Sequence, residues 1–127
     1  MDDRNLVAVA EQAAGPSRVL RSPIAGCTIK ADDGRVFLGC LLEFEDSSAD
    51  IDPISNGIAT GCVEGMRRVA RIGFYSPTAG QQPQIPTVTL LRLKEMAVPG
   101  LAIIFSTGNG DRVEKSLEEL LLESEIS

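Results

Sequence analysis

The sequence predicts an α/β fold in which helices pack on the faces of a mixed β-sheet. Three observations carry this reading. Helical and strand-like stretches alternate in the order α-β-β-α-β-α-β-α, the pattern of a sheet covered by helices. An Asp33-Gly34 turn joins two apolar runs into a hairpin, because Gly accepts the positive φ that the turn requires. Asp52-Pro53 opens a helix, with Asp as N-cap and Pro at the first helical position. The 127 residues are expected to form a single domain over 1–127. A chain of this size buries roughly two-thirds of the surface its unfolded form exposes.

Taken in order, residues 4–14 place Leu6, Val7, Ala10, Ala13 and Ala14 on one helical face, and Gly15-Pro16 stops the helix. A loop follows over 16–23. Ile24–Ala31 and Arg35–Leu42 are the two hairpin strands, and Gly26 in the first marks close approach by another backbone. Residues 43–51 read as a solvated acidic loop whose spacing does not match an EF-hand. A helix is expected from Pro53 to about Arg67, with Ile54, Ile58, Cys62 and Met66 on its apolar face. Gly57, Gly61 and Gly65 form a second stripe on it, and each internal Gly costs about 1 kcal/mol against Ala. A flat stripe lets a helix or sheet come close, so these three glycines are candidate interface residues. Val69–Tyr75 reads as a buried strand and 76–86 as a Pro/Gln/Gly loop. Thr87–Ala97 reads as an amphipathic helix with Val88, Leu91 and Leu93 among its apolar positions. Leu101–Phe105 is a strand, Gly108-Asn109-Gly110 a turn. Ser116-Leu117-Glu118-Glu119 has the capping-box pattern of a last helix, and the acidic tail beyond it is expected to fray.

Composition narrows the function classes. Net charge is −6, from 12 Lys and Arg against 18 Asp and Glu, which argues against a nucleic-acid-binding surface over the whole chain. Arg67, Arg68 and Arg71 read as a solvated helix end. The chain contains no His, the commonest general base and zinc ligand. Cys27, Cys40 and Cys62 lie far apart, which suggests reduced, buried thiols in a reducing, cytoplasmic compartment. MDDRNLV resembles neither a secretory signal nor a transit peptide. No apolar run approaches the roughly 20 residues of a membrane span.

Ala25-Gly26-Cys27-Thr28-Ile29, then Gly34-Arg35-Val36-Phe37-Leu38-Gly39-Cys40-Leu41-Leu42-Glu43-Phe44, Val63-Glu64-Gly65, Asn109-Gly110 and Glu119-Leu120-Leu121 stand in one register over nearly the whole chain. In that register the sequence resembles the small, tetrameric-type cytidine deaminases. The resemblance implies a three-layer α-β-α fold with a mixed sheet of about five strands. In that family a zinc-bound water attacks the pyrimidine ring while a Glu shuttles protons. The family's C-A-E falls here on Asp52-Pro53-Ile54. Its P-C-x-x-C falls on 86–90, in one of two adjacent registers that involve Pro86, Thr87, Thr89 and Leu90. None of these supplies a thiolate, and Ile54 has no proton to give or take. The sugar-contacting Asn falls on Leu41, the stacking ring on Pro23, and the loop reaching neighbouring subunits on Glu45-Asp46-Ser47. Glu43 alone is kept among the substrate contacts and is a candidate ligand-binding residue.

The resemblance therefore implies the fold of a deaminase without its catalytic set, with no metal and no cofactor. An interaction, structural or regulatory subunit is expected, as a homo-oligomer (dimer or tetramer) or paired with a related chain or larger complex. Two alternatives stand beside it: a nucleoside- or anion-binding module, and a divergent cytidine deaminase.

Overall fold

The computed structural model describes residues 1–78 and 84–125. Residues 79–83 of the expected 76–86 loop, and the end of the acidic tail, lie outside these residues. The elements are α1 (Asp3–Ala14), β1 (Gly26–Ala31), β2 (Val36–Cys40), a short 3₁₀ turn (Ser47–Ala49), α2 (Pro53–Val63), β3 (Val69–Tyr75), α3 (Thr87–Met96), β4 (Ala102–Ser106), β5 (Arg112–Ser116) and α4 (Leu117–Glu123). The five strands form one sheet in the order β2-β1-β3-β4-β5. β1 runs antiparallel to both β2 and β3, β3 and β4 are parallel, and β4 and β5 are antiparallel. The sheet is therefore mixed.

α1 covers one face. Asp2 caps it by accepting from the Asn5 N–H at 2.9 Å, and its small residues let it lie directly on β1. A Cβ on Gly26 would stand 2.4 Å from the Ala14 nitrogen and 2.5 Å from the Ala10 carbonyl oxygen, the close approach that the sequence implies. Thr28, fully buried, satisfies its hydroxyl on the Leu6 carbonyl at 2.9 Å. The opposite face carries the larger core. Cys27 and Ile29 of β1, Ile72 and Phe74 of β3, and Ile103 and Phe105 of β4 meet Ile54 and Ile58 of α2, Leu90 and Leu93 of α3, and Leu117 and Leu120 of α4. Each strand's period of two assigns alternate residues to the two faces.

Several expectations need correction. α2 stops at Val63 rather than near Arg67, because Gly65 adopts φ +95°. The Met66 N–H returns to the Gly61 carbonyl and the Gly65 N–H to that of Cys62, a Schellman ending that only a left-handed residue permits. Gly65 thus stands outside the helix and the stripe of three does not exist. Gly57 and Gly61 are buried against their own chain. A Cβ on Gly57 would lie 2.7 Å from Ile29 Cγ1, and one on Gly61 2.6 Å from Met66 Cε. Their smallness serves packing within the chain.

Arg71 lies in β3 and grips Asp3 through two contacts of 2.6 and 2.8 Å. Arg67 donates to the Cys62 and Met66 carbonyls, and Arg68 to that of Ala97. The cluster is committed to internal partners rather than free on a helix end. On α3 the inward side chains are Thr89, Leu90 and Leu93, while Val88 and Leu91 are exposed. β5 escapes the residue pattern because RVEKS is a polar edge strand with little burial. Among the described residues no helix is long and apolar enough to cross a membrane.

Candidate functional site

The N-termini of α2 and α3 converge at the rim of a cleft of about 930 Å³, within the range of small-molecule sites. Its lining includes Pro23, Leu41, Glu43, Asp52, Pro86 and Arg92, with Phe74 from β3. The fold thus gathers residues that the sequence distributes over some seventy positions.

Asp52 sits where α2 begins. Its Oδ2 accepts the N–H groups of Ile54 at 3.1 Å and Ser55 at 3.3 Å, satisfying two of the donors that every helix leaves unpaired at its start. Its Oδ1 accepts the Thr89 hydroxyl at 2.7 Å. Thr89 Oγ1 and Ser55 Oγ are 2.9 Å apart, and Arg92 Nη1 donates to Ser55 Oγ at 2.7 Å. Thr89 is fully buried. Ile54 and Leu90 point into the core and Thr87 is exposed. Of the 86–90 positions, Thr89 bonds Asp52, while Pro86 and Val88 line the cleft. Ser55 and Arg92 were not singled out in the sequence. Their signal was helical spacing: Arg92 follows Thr89 by three positions and so shares its face.

Cys27 lies just beneath. Its thiol donates to the Pro53 carbonyl at 3.1 Å. Burial, and then the charge of Asp52, push the thiol well above its ordinary pKa, so it stays protonated and is a poor nucleophile or metal ligand.

At the other end of the cleft, Glu43 is 2% exposed, not the solvated loop carboxylate that the sequence suggests. Its Oε1 accepts the main-chain N–H groups of Leu20, Arg21 and Ser22 at 2.6, 2.8 and 3.2 Å. Its Oε2 accepts the Ser22 hydroxyl at 2.6 Å and Arg21 Nη1 at 3.1 Å. Arg21 also pairs with Asp50, and Arg18 donates to the Glu43 carbonyl. The Ser22 hydroxyl first, then the main-chain donors, hold the carboxyl well below the usual carboxylate range despite its burial. Both oxygens are fully engaged within the chain.

This is the cytidine-deaminase-like fold, an α/β domain with a five-stranded mixed sheet and four α-helices. The cytidine deaminase from Burkholderia pseudomallei superposes with a TM-score of 0.85 at 20% identity, over 94% of this chain and 96% of that one. That from Mycobacterium tuberculosis gives 0.77 at 23%, over 95% and 94%. That from Bacillus anthracis gives 0.63 at 15%, over 93% and 85%. At these identities the likeness is one of fold. The sequence matches no protein-family model and no curated protein.

Proposed function

We propose that this chain is a non-catalytic cytidine-deaminase-like protein. In this reading it acts as an interaction, structural or regulatory subunit, as a homo-oligomer or with a related chain. One observation carries the reading: the junction of α2 and α3 is filled by a closed hydrogen-bond network of Asp52, Thr89, Ser55 and Arg92. If Asp52, Pro86 and Thr89 occupy the positions of zinc ligands, the residues do not fit the metal. A protein zinc site takes several thiolate, imidazole or carboxylate donors. Here there is one carboxylate, with both oxygens already accepting, and a guanidinium stands at the far end of a chain of three hydrogen bonds. No group of three or more His, Cys, Asp or Glu suited to a metal occurs among the described residues. Ile54, at the position of the proton-shuttling Glu, is fully buried in the core. Glu43 is best read as the anchor of the 18–22 loop.

Exposed apolar side chains support a role in assembly. Leu20, Phe44 and Ile51 are exposed on segments that adjoin around Glu43. Native mass spectrometry together with an assay of ammonia release from cytidine in zinc-supplemented buffer tests the proposal. An oligomeric mass with no turnover is expected. A monomer, or steady turnover with one zinc per chain, overturns it.

The size of the cleft favours a second reading, a nucleoside- or anion-binding module. A concentration-dependent rise in melting temperature with one nucleoside or anion from a panel would support it, and a flat panel would remove it.

A further inference from the structure

We propose that Asp52, Thr89, Ser55 and Arg92 form a metal-free clamp that ties the start of α2 to the first turns of α3 and rejects a divalent cation. The inference rests on reading this junction as a former metal position.

The hydrogen-bond directions follow from valence. Ionised Asp52 can only accept and Arg92 can only donate. The single Thr89 proton goes to Asp52 Oδ1 at 2.7 Å. Ser55 must therefore supply the proton in its 2.9 Å contact with Thr89, and its own oxygen receives Arg92 Nη1 at 2.7 Å. The result is one directed chain, Arg92 to Ser55 to Thr89 to Asp52, positive at one end and negative at the other. Each hydroxyl donates once and accepts once, so each bond polarises the next.

The clamp is needed where it stands. The N-cap of α3, Pro86, makes no side-chain cap hydrogen bond, so the N-cap holds the first turn through its carbonyl, which accepts the Thr89 and Leu90 N–H groups. Without Asp52, the fully buried Thr89 hydroxyl would keep its contact with Ser55 but lose the acceptor for its own proton, and an unpaired buried donor is costly. A dication entering here would have to displace the Thr89 hydroxyl from Asp52 and face the Arg92 charge.

The test is a double-mutant cycle read by thermal and urea unfolding, beside zinc binding followed by equilibrium dialysis and elemental analysis. Asp52→Ser keeps an N-cap oxygen but is too short to reach Thr89. Thr89→Val removes the hydroxyl at constant shape and should lower the melting temperature by about 5 °C or more. Thr89→Ser should stay near wild type. The double variant D52S/T89V should melt no lower than the weaker single variant, because both remove the same bond. If T89V does not fold, the pair Ser55→Ala and Arg92→Met gives the same comparison at the exposed end. Wild-type protein should bind no zinc and melt unchanged after chelation. Additive shifts, or zinc uptake near one per chain with a raised melting temperature, overturn the clamp. Cytidine turnover bears only on the absence of catalysis, and non-additivity bears only on the clamp, so the two readings fail separately.

Discussion

Glu43 and Ser22, twenty-one residues apart, are joined twice: the Ser22 hydroxyl reaches Oε2 at 2.6 Å and the Ser22 N–H reaches Oε1 at 3.2 Å. Leu20 and Arg21 add their N–H groups to the same Oε1. One side chain thus fixes the loop that forms a wall of the cleft.

The depressed pKa of Glu43 makes this anchor pH-dependent. Ser22 and the loop N–H groups favour the ionised form in the folded chain. An unfolded Glu titrates near about 4.3. The stabilisation is therefore complete above that value, declines as pH falls below it, and is gone once pH passes the lower native pKa. Glu43→Gln should show a lower urea midpoint than wild type at pH 7, and the gap should narrow toward pH 3. An equal gap at both pH values would mean that the loop is held by shape rather than charge.

Gly57 and Gly61 should respond differently to Ala. A Cβ at Gly57 meets Ile29 Cγ1 at 2.7 Å, and Ile29 is fully buried between sheet and helix. Overpacking of this kind costs about 1–3 kcal/mol. A Cβ at Gly61 meets Met66 Cε at 2.6 Å and Phe37 Cδ2 at 3.0 Å; the unbranched end of Met66 adapts more readily than Ile29, while the helix gains about 1 kcal/mol in propensity. Gly57→Ala should lower the urea midpoint and Gly61→Ala should leave it within about 1 kcal/mol of wild type. Equal losses would point to a rigid surround at both.

Ile54 is wholly buried and belongs to the main core. Ile54→Ala should destabilise by about 2–5 kcal/mol, through lost burial and the cavity left behind. Ile54→Val should cost about 0.5–1.5 kcal/mol. Chemical denaturation of both variants checks the ordering, and a near-neutral Ile54→Ala would mean that the side chain fills nothing.

Cys27 should resist modification. Its thiol is buried, bonded to the Pro53 carbonyl and held protonated, whereas alkylation needs an accessible thiolate. Maleimide treatment of native protein followed by peptide mass mapping should leave Cys27 unlabelled, with labelling appearing only in denaturant. Rapid native labelling would reveal opening of the α2–β1 contact.

The α/β class, the hairpin at Gly34, the Asp52 cap, the Ser116–Glu119 capping box and the strand Val69–Tyr75 were legible in the sequence. Each is a local matter, settled by turn chemistry, capping or apolar periodicity over a few residues. β5 was not legible as a pattern, since RVEKS is a strand only because β4 lies beside it. The end of α2 depended on the backbone angle of Gly65, which the glycine stripe concealed.

By itself the sequence determined which donors are missing: it has no His, and no thiol at Asp52, at Ile54 or across 86–90. Only the tertiary structure decided what Asp52, Ile54 and Thr89 do. Thr89 and Asp52 are 37 positions apart, and their bond exists because the helix packing of two separate segments points both side chains at one spot. Glu43 could be read from its neighbours as a solvated acid. Its burial follows from a loop more than twenty residues away closing over it. Local propensity is written along the chain, whereas the pairing of polar groups is set by which surfaces the core brings together.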